Sequence, residues 1–438
     1  MKKVAISLIF LLTFLLSGCS AFSFEESDIM CPPKATGSKA EIQKLIDKNT
    51  SGDYTLKYPK NGDNRSSIVM HDIDNDEDED AIAFYTVNDD TQAHALFVQC
   101  NDDEYIVLED IEFEASGIDR VDFCDINGDS LDEILIGYSQ KTSSLNTLNI
   151  FRYTDKITKL NSSHTYSNLV SGDFNSDKKD DILLISLYSG DTSAKAKLMT
   201  ANKNSSLSEI GSVELDSDVT QLADAKYSQI EFGVYGAAID GITSSGDYTT
   251  QVIVFDSSAP ALLNPLFSYS GYSATRRTSQ ICSEDFDEDE LIDIPVCSIM
   301  SYDEKEDASK VSRRVDWSNL NIQNYSLTPT ASAIFCPEDG YFFTMPKKWF
   351  DCVTARYDES KRETTIYSFE YVNSVPKKTA KLMTIKAFPS DEYDPSTNGY
   401  TEIINTGATV YAYSLSTTEN YLSITGDEIN TLFRLVNQ

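Results

Sequence analysis

The sequence predicts a mainly β protein: a β-propeller of about five four-stranded blades, four with acidic loops and one degenerate, followed by a small α+β domain. Three observations carry that expectation. Of the 438 residues, 40% are hydrophobic and 11% aromatic, with 24 Tyr and 21 Phe, a composition suited to strands. Four acidic segments superimpose, starting at Asp72, Asp125, Asp173 and Asp285, with a period of roughly 50 residues, as expected for propeller blades. Each is followed by apolar runs of strand length, such as Ile134 to Tyr138 and then Leu148 to Tyr153, the alternation of one blade.

In chain order, residues 1–19 read as an address rather than as structure. Lys2 and Lys3 precede an apolar run from Val4 to Leu16, too short to span a bilayer and of secretory length. The run ends Leu16-Ser17-Gly18-Cys19, which resembles a bacterial lipobox. That resemblance implies diacylation of Cys19, which would become the mature N-terminus, and two acyl chains give stable anchoring. The expected location is therefore the outer face of the cytoplasmic membrane, with residues 20–37 as a stalk. Residues 38–50 read as a short helix: Ser38 and Glu41 have capping-box spacing, and Ile42, Leu45 and Ile46 share a face. Strand-like Tyr54 to Tyr58 and Ser67 to His71 follow, one of which is a candidate to complete the last blade.

Residues 51–329 hold the repeats: DIDNDEDEDAIAF, DINGDSLDEILIG, DFNSDKKDDILLI and DFDEDELIDIPVC. The stretch from Ala223 to Gly241 reads as a fifth copy without the acidic loop. A hard cation such as calcium takes six to eight oxygens at about 2.3–2.6 Å, which a tight loop supplies from alternate positions. Positions 1, 3, 5 and 9 offer side chains and position 7 its carbonyl. The first loop gives Asp72, Asp74, Asp76 and Asp80 with Asp78 through its backbone, and the second Asp125, Asn127, Asp129 and Glu133 with Leu131. The third gives Asp173, Asn175, Asp177 and Asp181 with Lys179, and the fourth Asp285, Asp287, Asp289 and Asp293 with Leu291. About four calcium ions are the expected cofactor.

These loops resemble those of integrin-alpha-like FG-GAP or VCBS repeats over roughly Ile68 to Trp317, a resemblance that implies a calcium-binding propeller with an adhesion or recognition role. The family's usual Gly at position 6 is replaced by Glu77, Ser130, Lys178 and Glu290, where backbone strain is expected. An EF-hand is a poorer match, because its position-12 Glu is replaced by Ala83, Ile136, Leu184 and Val296.

Residues 330–438 read as strands (Tyr341 to Thr344, Thr365 to Tyr371, Leu382 to Phe388, Thr409 to Tyr413) and a last helix. In that helix Thr425 caps with Glu428, and Ile429, Leu432, Phe433 and Val436 form a stripe. The run Gly340 to Trp349 is faintly similar to the opening of PsbP-like α+β domains. Cys282 with Cys297 and Cys336 with Cys352 are candidate disulfides across adjacent strands, with free buried cysteines as the alternative.

The formal charge of −34 excludes partners held by phosphates, nucleic acid among them. Three His in the chain leave little for zinc sites or His-based triads. No Gly-x-Ser-x-Gly, His-Glu-x-x-His or phosphate-binding Gly-Lys loop occurs. Arg276-Arg277 and Arg313-Arg314 read as solvated strand-edge residues, with a small-anion site as the alternative. The expected function is thus a non-catalytic, calcium-stabilised module, a monomer, presenting a face to an extracellular protein or glycan; the alternative is an extracellular polysaccharide hydrolase or lyase using carboxylates on that face.

Overall fold

The computed structural model describes residues 37–436 apart from 51–52, 88–91, 103, 116, 140–143, 191–192, 269–274, 397–398 and 418–420. The leader, the lipobox with Cys19, the stalk and Cys31 lie outside the described residues. The chain is mainly β, built from several antiparallel sheets, as a propeller-like fold requires. It divides into two compact units, one running to Val121 and including Tyr153–Ile157, the other comprising Asp122–Arg152 and Thr158 onward.

In the first unit, helix α1 (Ser38–Thr50) buries Ile42 and Ile46 against a sheet. Ser38 lies inside the helix rather than capping it: the Gly37 carbonyl accepts from the N–H groups of Ala40 and Glu41, and the Glu41 carboxylate takes the Lys44 ammonium at 2.8 Å. The first sheet contains β1 (Tyr54–Leu56), β2 (Ile68–His71), β3 (Asp80–Val87), β4 (Ala93–Asn101) and β5 (Glu104–Phe113). Both β1 and β2 pair with β3. They belong to the first sheet, so neither is the strand that completes the last one.

The second sheet runs β6 (Gly117–Cys124), β7 (Glu133–Ser139), β8 (Asn146–Tyr153), β9 (Ile157–Tyr166). The third runs β10 (Asn168–Gly172), β11 (Asp181–Ser186), β12 (Lys195–Ala201), β13 (Leu207–Glu214). The fourth runs β14 (Val219–Glu231), β15 (Val234–Thr243), β16 (Tyr248–Asp256), β17 (Ala261–Leu263), and helix α2 (Pro265–Ser268) follows it. This is the sheet of the degenerate repeat, and a tight turn at Phe232-Gly233 stands where its siblings carry the acidic loop. The fifth sheet runs β18 (Ile294–Ile299), β19 (Arg313–Asn321), β20 (Ser326–Cys336), β21 (Tyr341–Thr344), and Phe433–Leu435 adds beside β21.

Strands entered from the first three acidic loops are buried on both faces, whereas β18 after the fourth is buried only at Ile294 and Pro295. All but the last residue of β3, β7 and β11 is buried, the pattern of strands sandwiched between layers. In the second unit those faces form shared cores: Leu135, Ile150, Leu184 and Met199 join the second sheet to the third, Leu183, Leu198, Ile239 and Ile253 the third to the fourth, and Val252, Ile294 and Leu320 the fourth to the fifth. Outer strands alternate toward solvent, as β5 and β13 do.

A sixth sheet holds β22 (Val353–Asp358), β23 (Glu363–Val372), β24 (Val375–Pro389), β25 (Thr401–Asn405) and β26 (Thr409–Leu415). Its core around Trp349, Ala355, Ile366 and Ile385 is continuous with Ile334 and Phe343 of the fifth sheet. The break expected between residues 329 and 330 falls inside β20, at a bulge where Thr330 is skipped between the pairs Ser318↔Pro329 and Trp317↔Ala331. Helix α3 (Gly426–Leu432) has the expected capping box of Thr425 and Glu428. The expected stripe does not continue as helix, because Phe433–Leu435 form β27 and pair with β21 from Tyr341↔Leu435 to Phe343↔Phe433. Sheet pairing there outweighs a helix-compatible pattern.

None of the described cysteines, Cys100, Cys124, Cys282, Cys297, Cys336 and Cys352, is in a disulfide. The Cys282–Cys297 and Cys336–Cys352 disulfides are therefore absent, and burial instead raises the Cys282 and Cys336 thiols to about 12. No helix among the described residues is long and apolar enough to cross a membrane.

Candidate metal centre

The four acidic loops share one backbone. Residues at position 4 (Asn75, Gly128, Ser176, Glu288) and position 6 (Glu77, Ser130, Lys178, Glu290) all lie at φ between 61° and 79°. That left-handed region is easy only for glycine, and Gly128 alone of the eight is one. The strain expected at position 6 is thus present, and the loops take the glycine-type conformation regardless.

Hydrogen bonds to the carboxylates hold that shape. Each position-1 Asp accepts from the backbone at positions 5 and 6: Asp72 from Asp76 and Glu77, Asp125 from Asp129 and Ser130, Asp173 from Asp177 and Lys178, Asp285 from Asp289 and Glu290, at 2.8–3.2 Å. Each position-5 Asp accepts the position-7 N–H, as in Asp78 to Asp76 at 2.9 Å, Leu131 to Asp129 at 3.1 Å, Lys179 to Asp177 at 3.1 Å and Leu291 to Asp289 at 2.9 Å. The Asp78 side chain turns away to take the Asp102 N–H.

The position-9 carboxylates, Asp80, Glu133, Asp181 and Asp293, begin or directly precede the next strand and are fully buried. Three reach back to the position-2 N–H: Ile73 to Asp80, Ile126 to Glu133 and Phe286 to Asp293, at 3.0–3.1 Å. Desolvation, reinforced by neighbouring carboxylates of the same loop, pushes Asp80, Asp181 and Asp293 up to about 6 and raises Glu133. Desolvation also raises Asp74 and Asp287 at position 3. Each loop therefore favours either a proton or a cation at its centre.

Among the described residues, two groups converge enough to hold a metal ion: Asp72, Asp74 and Asp80 in the first loop, and Asp285, Asp287 and Asp289 in the fourth, each set within 4.8 Å. Asp76 and Asp293 stand outside those sets. Position 3 of the second and third loops is Asn, and both side-chain amides lie against the buried carboxylate: Asn127 on Glu133, and Asn175 on Asp181 at 3.3 Å. In the second loop Arg152 Nη2 lies 2.5 Å from Asp129 Oδ2 and Nε 3.9 Å from Glu133 Oε1. In the third, Lys179 Nζ is 3.0 Å from Asp177 Oδ2 and 2.9 Å from the Ala201 carbonyl.

Buried oxygens without a hydrogen-bond partner gather here too: Asp74 Oδ1, Asp181 Oδ2, Thr200 Oγ1 and Asn319 Oδ1. Thr200 lies close enough to steady the Asp181 carboxylate, yet outside hydrogen-bond geometry. Such orphaned oxygens, next to carboxylates and in tight loops, are a donor set suited to a hard cation. Sequence reasoning singles out the loop residues but not Gln99, Arg152, Thr200 and Asn319, which belong to the strands after the loops.

The degenerate sheet supplies its own cation. Arg277 and Asp240, both fully buried, pair at 2.9 Å. Arg277 also donates to Thr250 Oγ1, the Thr275 carbonyl and the Ile281 carbonyl, while Asp240 accepts from the Ser283 N–H and the Thr250 hydroxyl. Arg277 is thus not the solvated residue its sequence suggests. Arg276 is half buried between Asp218 and Asp247.

No family model matches the chain, and no curated protein matches it. Among solved structures, it is similar to a Lactobacillus plantarum protein at 10% identity, TM-score 0.32, covering 68% of this chain and 80% of the other. It is also similar to a Bacteroides uniformis protein provisionally named a 6-phosphogluconolactonase, at 12% identity, TM-score 0.33, covering 74% of this chain and 94% of the other.

Proposed function

We propose that this chain is a calcium-binding repeat protein, lipid-anchored through Cys19 outside the cytoplasmic membrane, that presents its blade faces to an extracellular protein or glycan. In this reading the sheets are the blades of a propeller akin to FG-GAP or VCBS repeats, and calcium completes its acidic loops. One observation carries the metal reading: four loops of one backbone conformation each bury a position-9 carboxylate, with orphaned oxygens beside it in three of them. Solvated acidic turns do not bury carboxylates beyond the reach of water, because an uncompensated buried charge is costly. Calcium fits better than magnesium, since the candidate oxygen ligands are many and charged. Outside a cell, sites with Kd of about 10⁻⁴–10⁻³ M are of the strength such modules use. The lipobox sequence supports the anchoring, and the lack of a nucleophile–base motif in the sequence supports a binding role.

Isothermal titration of the purified chain with Ca²⁺ and with Mg²⁺ tests the metal reading. Calcium-specific heats lost in Asp72→Ala and Asp285→Ala are expected; equal, weak heats with both ions would overturn it. Capture from intact cells with calcium and with EDTA tests the binding role, which requires a calcium-dependent partner.

A further inference from the structure

The loops differ in what stands opposite the buried position-9 carboxylate. One step beyond the pairs Ala81↔Val98, Ile134↔Phe151, Ile182↔Met199 and Ile294↔Ser318, the ladders set Gln99 against Asp80, Arg152 against Glu133, Thr200 against Asp181 and Asn319 against Asp293. Residues directly opposed in an antiparallel pair share a face of the sheet, so all four side chains stand on the face that carries the position-9 carboxylate, Gln99 reaching Asp74 and Arg152 reaching Asp129. Three are neutral and carry an oxygen of the kind a hard cation accepts. The fourth is a guanidinium, a cation that carries donors and no acceptor oxygen.

The surroundings agree. Beside Gln99, Thr200 and Asn319 lie the orphaned oxygens, Asp74 Oδ1, Asp181 Oδ2, Thr200 Oγ1 and Asn319 Oδ1. In the second loop every described carboxylate oxygen that faces inward is engaged: Asp129 Oδ2 by Arg152, and Glu133 by Ser205, Asn127 and the Ile126 N–H. Arg152 hydrogen-bonds Asp129 at position 5 and lies 3.9 Å from Glu133 at position 9, its buried Nε having no hydrogen-bond partner, so its charge stands between the two ends where an ion would sit. Lys179 does not do this in the third loop. Its ammonium holds the outer Asp177 and the Ala201 carbonyl and leaves Asp181 Oδ2 without a partner.

We infer that Arg152 takes the place of the metal ion in the second loop, which stays free of calcium while the first, third and fourth loops fill. The inference rests on the calcium reading above. It makes the second loop a metal-independent member of the series, the same solution by which Arg277 neutralises Asp240 in the degenerate sheet.

Equilibrium dialysis against radioactive calcium counts the ions bound by the full chain, by Arg152→Gln, which copies the first loop, and by Gln99→Arg, which copies the second. Arg152→Gln is expected to bind one ion more than the wild type, and Gln99→Arg one fewer. An Arg152→Gln chain that is folded by circular dichroism and binds the wild-type number overturns the inference and leaves the calcium reading standing. If Arg152→Gln fails to fold, Gln99→Arg decides alone, an unchanged count being the overturning result. Absence of calcium from wild type and both variants removes the inference together with the reading beneath it.

Discussion

Replacing Asp293 with Asn should stabilise the protein, and most of all when calcium is absent. Asp293 is fully buried, and its carboxyl is raised from 3.8 to about 6, first by desolvation and then by Asp287 and Asp289. A rise of roughly two pKa units at about 1.4 kcal/mol each is about 3 kcal/mol of penalty on the charged form at neutral pH, an upper bound. Because the folded-state pKa lies above the unfolded one, this contribution favours folding fully below about pH 4 and is lost as pH rises through about 6. Asn removes the charge and keeps the bonding: its Oδ1 accepts from the Phe286 N–H, and its Nδ2 donates to the Thr330 hydroxyl, which then donates to the Trp317 carbonyl as it already can. In EDTA at pH 7.4, Asp293→Asn should therefore be more stable than wild type by about 1–3 kcal/mol. With about 1 mM calcium that advantage should shrink by about 1.4 kcal/mol, because a site of Kd about 10⁻⁴ M stabilises the wild type by that much and the variant loses that ligand. Chemical unfolding at pH 7.4 and pH 5.0, with EDTA and with calcium, reads all arms. The EDTA advantage must shrink at pH 5.0, where wild-type Asp293 is largely protonated. A variant less stable than wild type in EDTA at pH 7.4 would refute the reasoning.

Other perturbations have equally definite outcomes. Glu290→Gly relieves a left-handed φ of 72° that costs a side-chain residue roughly 1–2 kcal/mol, against about 0.4–1 kcal/mol of added unfolded-state entropy; denaturant midpoints in EDTA should rise slightly, and a fall would place the strain elsewhere. Arg277→Ala leaves Asp240 buried and unpaired and should cost about 3–5 kcal/mol, whereas adding Asp240→Asn, which removes the charge and still accepts from the Ser283 N–H, should recover part of it; equal losses in both would deny that the unpaired charge is the cause. Thr425→Ala removes the capping box of α3 and should cost about 1 kcal/mol, seen as a lowered midpoint with no change in calcium binding.

The acidic loops and the strands after them were legible because both depend on short-range rules: alternate-position oxygens and unbroken apolar runs. The position-6 backbone was legible only as a conflict, since Glu77, Ser130, Lys178 and Glu290 argue locally against the conformation they adopt. What stands opposite position 9 was hidden by the intervening hairpin. Gln99, Arg152 and Thr200 each follow their carboxylate by 19 residues, but Asn319 follows Asp293 by 26, so the offset is visible only once the ladder fixes it. Arg277 reads as a surface residue because its neighbours in sequence are polar, and its partner Asp240 lies two strands earlier. Phe433 fits a helix by spacing, and only the open edge of β21 makes it a strand.

That last ladder ties a knot of cause in the second unit. Everything from Lys347 to Leu432, the sixth sheet included, lies between two adjacent strands of the fifth sheet, β21 and β27. Such a sheet is moored at both ends and does not behave as a bead on a tether. A protease cutting within it should leave both fragments held together until the fifth sheet itself opens. A pull applied to the sixth sheet is likewise delivered at once to the strands that follow the fourth acidic loop.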